Sequence, residues 1–289
     1  MSNARANDKY IFKARTRQAF IIKIIGELLS NTIKWAPIRI NEKGIFLTQA
    51  DNFNHQLIEL SLLKENFGNN FKLARPLNFI VNSVHLYKML KSIKKKDTIT
   101  LFISEAEPLK LGICVEQENE DNQITTFIRI NNCQPEILDP LVGYGDPIIM
   151  NNKEFQKMKN LHNIDKKLNV TSKPGYIRFF CDGGDLYSRE FIVGKIDDDD
   201  NKDIPIGFNQ NFTTAHITGL AKCAGQSGNV YVYTHEDLPL KIKMKVGDLG
   251  DLIVFIKSLE MQEMEKSIKQ LDSEEAKEQD DNESVETNN

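Results

Sequence analysis

The chain has 289 residues, 40% of them hydrophobic and 27% charged, and a formal net charge of −4. That is length enough for two ordinary domains, with the composition of a globular protein rather than a disordered or collagen-like one. No apolar run approaches the roughly 20 residues of a membrane-spanning helix, and the first residues lack the apolar core of a secretion signal, so an intracellular protein is expected.

The charge is unevenly spread. Residues 261–289 hold ten Asp/Glu against three Lys, which leaves a surplus of about three positive charges elsewhere. A surplus that small does not identify a nucleic-acid binder, so the placement of the lysines has to decide. Cys114, Cys133, Cys181 and Cys223 show no Cys-x-x-Cys or Cys-x-x-His spacing and are expected as reduced, mostly buried thiols.

In chain order, Arg17–Leu29 sets Ile21, Ile24, Ile25 and Leu28 at helical spacing, with Lys23, Glu27 and Ser30 opposite. Ile38/Ile40 and Ile45/Leu47 alternate around Asn41–Gly44 and predict a hairpin; Leu57–Leu62 predicts the next strand. A second helix is expected over Asn82–Lys95, burying Leu86, Met89, Leu90 and Ile93 and exposing Lys88, Lys91 and Lys95. A hairpin over Asp97–Ile113 and a strand over Ile124–Ile130 complete the first half.

Residues 131–146, with two prolines, two glycines and no sustained period, form the expected connecting segment. The second half restarts with strand Pro147–Met150 and helix Asn152–Asn163, which buries Phe155, Met158 and Leu161 and exposes Lys153, Lys157 and Asn160. Hairpin Leu168–Cys181 and strand Leu186–Val193 follow. Helix Asn211–Cys223 is expected to bury Phe212, Ala215, Gly219 and Leu220 and to turn Thr214, Thr218 and Lys222 outward. Leu252–Ile256 is the last predicted strand, and the charged tail from Glu263 is expected to be disordered.

The two halves repeat one another. Asp97–Ile113 and Asn229–Met244 each alternate β-formers, turn at acidic residues, pass Pro-Leu-Lys and resume alternating, each just after a lysine-bearing helix. The expected fold class is α+β, with two similar domains, each carrying two helices on one face of an antiparallel sheet. The divisions are 1–130, a connecting loop 131–146, 147–259, and an acidic tail 260–289.

Catalytic signals are absent from the pattern. His55, His85, His162, His216 and His235 are dispersed, and neither a nucleophile elbow nor a phosphate-cradling glycine loop occurs. Asp197–Asp200 lacks the Gly and distal Glu of a calcium loop and reads as a solvated turn. Gly247-Asp-Leu-Gly250 lies between strands, not helices, and reads as a turn. No enzyme, no metal and no cofactor are expected. A lysine on an outer helix face is ordinarily only surface. Here all four predicted helices present one: Lys23, Lys88 with Lys91, Lys157, and Lys222. Basic groups on rigid helices, without interleaved base-stacking aromatics, suit the backbone of duplex DNA, bound independently of sequence.

The run Asp237-Leu-Pro-Leu-Lys-Ile-Lys-Met-Lys-Val-Gly-Asp-Leu-Gly-Asp-Leu252 resembles the Asp-Val-Pro-Leu and Ala-Asp-Met-Gly-His-Leu segments of the proliferating cell nuclear antigen family. Phe12–Arg15, Gly44–Leu60, Asn82–Leu101 and Glu154-Phe155 add to the likeness, which covers about residues 10–259. The resemblance implies a non-enzymatic DNA sliding clamp: a homotrimeric ring whose helices line the hole, encircling duplex DNA and tethering DNA polymerase, a clamp loader and other replication and repair proteins. It implies that Ile124–Ile130 of one chain pairs with Leu186–Val193 of the next. Lys23, Lys88, Lys91, Lys157 and Lys222 match basic positions on the family's inner helices, whereas Ser30 and Asn160 stand where a basic residue is usual, and Lys94–Lys96 could compensate. Leu57, Ile137, Pro140, Tyr144, Pro239, Phe255 and Ile256 match the family's pocket for short partner motifs, with Ala50 and Ser258 replacing a usual methionine and proline. Lys173 falls in a loop where the family is modified. A nuclear or viral replication site follows as the expected location. A subunit of a heterotrimeric checkpoint-type clamp, and a monomeric processivity protein that forms no ring, are the alternatives.

Overall fold

The computed structural model describes residues 9–118, 122–134, 141–194, 207–225 and 228–271. In the first half, β1 (Tyr10–Thr16), α1 (Ala19–Thr32), β2 (Trp35–Asn41), β3 (Gly44–Ala50) and β4 (Gln56–Leu63) lead through a 3₁₀ stretch to β5 (Phe71–Leu73). Then come β6 (Leu77–Asn82), α2 (Ser83–Leu90), β7 (Thr98–Ser104), β8 (Lys110–Glu116), β9 (Gln123–Arg129) and β10 (Asn131–Asn132). The second half runs β11 (Ile148–Asn151), α3 (Asn152–Phe155), β12 (Lys167–Lys173), β13 (Tyr176–Asp182), β14 (Ser188–Val193), β15 (Phe208–Thr213), α4 (Thr214–Thr218), β16 (Asn229–Tyr233), β17 (Leu240–Val246) and β18 (Gly250–Ile256).

Three antiparallel sheets result, ordered β5-β1-β7-β8-β9, β10-β6-β2-β3-β4-β18-β17-β16-β11 and β14-β13-β12-β15. The repeat seen in the sequence is a repeat of pairing. β9 follows β8 as β18 follows β17, and β4 follows β3 as β14 follows β13. Inside the chain, β4 and β18 pair from Gln56↔Ile256 to Leu62↔Gly250 and fuse the two halves into one sheet. Among the described residues, their counterparts β14 and β9 each have a neighbour on one side only. Alternation drives the layering: Ile58, Leu60 and Leu62 of β4, and Leu252, Val254 and Ile256 of β18, face the helices and are buried.

Several sequence expectations shift. On α1 the buried stripe is Ile22, Ile25, Leu28 and Leu29, while Ile21 and Ile24 are half-buried. α2 stops at Leu90 instead of Lys95, because Ile93 N donates to Leu90 O at 3.1 Å and the Asp97 carboxylate accepts from Lys94 N at 2.8 Å, closing a turn. Residues 152–163 are one α-turn followed by the 3₁₀ stretch Gln156–Leu161. The fully buried Phe155, Met158 and Leu161 recur every third residue, the period of a 3₁₀ helix.

The largest correction concerns Asn211–Cys223. Its first part is strand, with Phe212 opposite Leu168 across β12, so the helical phase starts at Thr214. Thr214 and Thr218 are then buried and Ala215 and Gly219 exposed, the reverse of the expected face. A 3₁₀ stretch, Gly219–Lys222, follows. The connecting segment begins as strand, because Asn131 and Asn132 pair with Ile80 and Phe79 of β6. Strand β14 starts at Ser188, leaving Leu186 in the preceding turn. Residues 259–271 are helical, against the expected disorder from Glu263. Ser258 accepts Met261 N at 3.1 Å as an N-cap, and Lys257 pairs with Glu265 at 2.6 Å, anchoring the first turns. Asp197–Asp200 lies outside the described residues. The four cysteines are free thiols, all buried except the half-buried Cys133.

Candidate nucleic-acid interface and partner groove

The helices form one layer over the sheets. α1 packs against α2 on one side and against the Gly219–Lys222 turn on the other, and that turn and α4 pack against Gln156–Leu161. The approach of α1 to α2 is close at Gly26, where a Cβ would sit 2.7 Å from Leu90 Cδ1. Ser83 of α2 donates its hydroxyl to Ile33 O just beyond α1, tying the pair at that end.

This layer carries the predicted lysines in three electrostatic states. Lys88, Lys91 and Lys157 are exposed and, among the described residues, make no ion pair. Lys222 is exposed but paired with Glu27 of α1 at 2.7 Å, and that hydrogen bond raises its pKa above the ordinary lysine value. Lys23 is half-buried: its ammonium donates to Ile93 O at 2.8 Å, where it caps the turn after α2. Lys94, Lys95 and Lys96 are exposed on that turn, with Lys96 paired to Glu118 at 3.1 Å. Arg189 of β14, which helix periodicity could not flag, reaches Asn160 O at 3.3 Å.

The opposite face of the nine-stranded sheet carries a groove. Its floor is one row of cross-strand neighbours, Ala50, Leu57, Phe255, Lys241 and Tyr233, running over β3, β4, β18, β17 and β16. Tyr144 lies over this row, with its ring 6.2 Å from that of Phe255 and 6.0 Å from that of Tyr233, and its hydroxyl donates to Pro239 O at 2.7 Å. Burial pushes the Tyr144 phenol above its ordinary pKa. Lys241 sits among the three rings at 4.8–5.6 Å from their centroids, a cation–π box. Burial raises the pKa of nearby Glu59, and the charge of Lys241 partly offsets it.

Comparisons with known proteins give a family likeness. Residues 11–134 match the model of the proliferating cell nuclear antigen N-terminal domain. A probable DNA polymerase sliding clamp of Paramecium bursaria Chlorella virus 1 is 26% identical over 258 residues, covering 85% of this chain and 96% of that protein. The proliferating cell nuclear antigens of Dictyostelium discoideum and Chaetomium thermophilum are 25% and 22% identical, over 85% and 82% of this chain and 98% and 93% of their own lengths. Residues 11–134 thus carry the proliferating cell nuclear antigen N-terminal domain, and the likeness to these relatives extends over most of the chain.

Of the positions that the resemblance assigns to a partner pocket, Leu57, Tyr144, Pro239 and Phe255 come together here. Ile256 does not. It follows Phe255 on a strand, so its side chain takes the opposite face; Ile256 is 0% exposed there, and Phe255 is 4% exposed beneath Tyr144. Ile137 and Pro140 lie outside the described residues. Sequence reasoning missed Lys241, although the alternation Leu240-Lys-Ile-Lys-Met-Lys245 carried the signal by placing three lysines on the outer face of β17. Among the described residues no three His, Cys, Asp or Glu side chains converge as a metal site.

Proposed function

We propose that this chain is a DNA sliding clamp, three copies of which join head to tail into a homotrimeric ring around duplex DNA as the processivity factor of a DNA polymerase. The observation that supports this most is the pair of open edges. β9 and β14 hold the places in the repeat that β18 and β4 hold, and the latter two already pair within the chain. Pairing β9 of one copy with β14 of the next would repeat the internal seam between copies. It would also remove the open edges, and a head-to-tail contact that closes on rotation gives a finite ring.

On this reading 1–130 and 147–259 are the two clamp domains, and 131–146 is the loop that connects them. The helix layer faces the DNA, and Lys88, Lys91 and Lys157, with Lys222 and Lys23 more constrained, contact phosphates without reading bases. Retention is topological: the closed ring cannot leave the duplex, and weak lysine–phosphate contacts exchange as it slides. Nothing in this mechanism requires a catalytic step or a cofactor. DNA polymerase, the clamp loader and other replication and repair proteins engage the Tyr144 groove through short apolar motifs, in a nucleus or at a viral replication site.

A solution mass measurement joined to a DNA topology assay tests the proposal. The expected mass is near three chains. Protein threaded onto linear DNA should survive a high-salt wash once the ends are ligated and be released when the circle is cut. A mass of one chain, with loss from both DNA forms as salt rises, overturns it in favour of a monomeric binder. A ring that forms only with other, different subunits makes it a heterotrimer component.

A further inference from the structure

The helix over residues 259–271 has a firm root and a bare end. At the root, Ser258 stands where the family resemblance expects proline and caps the first turn. Buried Gln262 donates to Lys257 O at 3.1 Å, and the Glu260 carboxylate accepts Asn211 N of β15 at 3.1 Å. Beyond the root, Met264, Ile268 and Leu271 are 67%, 52% and 59% exposed. Their spacing of four and then three residues sets them in one line along the helix. Short helices are marginal alone in water, so an anchored helix that displays a line of large apolar side chains is a surface awaiting a partner.

We propose that this line is a docking face for an amphipathic helix of a partner protein whose apolar stripe is flanked by Lys and Arg. The charge argument selects that occupant. Residues 272–289, which follow directly on Leu271, hold eight Asp/Glu and one Lys. A second copy of the same tail would bring like charge against like, and an anionic bilayer would be repelled, whereas a basic helix gains from both the stripe and the acidic run. The position adds a reason. The helix starts four residues after Phe255, and at 1.5 Å per residue the stripe lies about 8–18 Å along it. A partner held in the groove could make its second contact there, although the docking face stands whether or not the chain forms a ring.

The test uses the full chain and a synthetic fluorescent peptide with leucines at alternating spacings of three and four and lysines at the flanking positions. A peptide of the same composition with the leucines scrambled is the control. By anisotropy, the ordered peptide should bind at least about tenfold tighter than the scrambled one. The variant carrying Met264→Gln, Ile268→Gln and Leu271→Gln together should lose that preference, while its mass and its retention on circular DNA match those of the parent. Glutamine keeps good helix propensity, so the change removes the stripe rather than the helix. Equal binding of the two peptides would overturn the proposal, since the acidic run would then act alone. So would no binding at all, or a parent mass larger than the variant's, which would make a second copy the occupant.

Discussion

Strands β4 and β14 occupy one place in the repeat and β18 and β9 another, yet β4 and β18 meet within the chain while β14 and β9 stand open. In the seam, burial alternates residue by residue along β4, and most of β18 is buried. At the open edges β14 is exposed over Ser188–Glu190, and β9 buries only Ile128. The difference teaches that a strand's place in the repeat does not determine its burial; the presence of a partner does. The exposed edges carry Arg129, Arg189 and Glu190, charges that discourage indiscriminate strand addition while leaving a specific antiparallel partner possible.

The seam is the place to break this comparison with most effect. A Cβ on Gly250 would lie 1.7 Å from Ser61 O of β4. Gly250→Ala therefore forces backbone apart and should cost about 3 kcal/mol or more, read as a lower denaturant midpoint. The open edge should respond differently. Ile124 on β9 is half exposed, so Ile124→Asp should change the unfolding free energy of the isolated chain by under about 0.5 kcal/mol, while the mass in solution falls from three chains to one. If the mass does not move, the edge is not the contact.

The smallest expected effect separates the lysine states. Lys88→Ala with Lys91→Ala should flatten the dependence of log affinity for duplex DNA on log salt by up to about 0.9 per lost phosphate contact. Lys222→Ala should flatten it less, because Glu27 already holds that ammonium. Lys23→Ala should chiefly loosen the turn it caps at Ile93.

A second contrast shows where sequence reading succeeds. In α1 the apolar residues Ile22, Ile25 and Leu29 step by three and four, and a true α-helix forms. After α3 they step by three and three, and the backbone winds as 3₁₀. That period was visible in Phe155, Met158 and Leu161, although a helix of either kind would bury them. The α4 face could not be read in the same way. Phe212 fits a helical stripe by spacing alone, and only its pairing across β12 assigns it to a strand. In the groove, Tyr144 and Pro239 are 95 residues apart, and no local pattern joins them.

By itself the sequence determined the local periods: which stretches alternate, which wind, where the hairpin recurs, and that each lysine-bearing segment turns a basic side chain from the core. These are short-range consequences of burying apolar side chains with a period of two or near three and a half. The tertiary structure alone decided, among the described residues, that β4 meets β18 while β9 and β14 stay open, that Lys23 and Lys222 are engaged while Lys88 and Lys91 make no ion pair, and that a charged tail begins as an anchored helix. Each of those depends on groups distant in the chain coming within hydrogen-bonding or packing reach, and a one-dimensional pattern does not carry that distance.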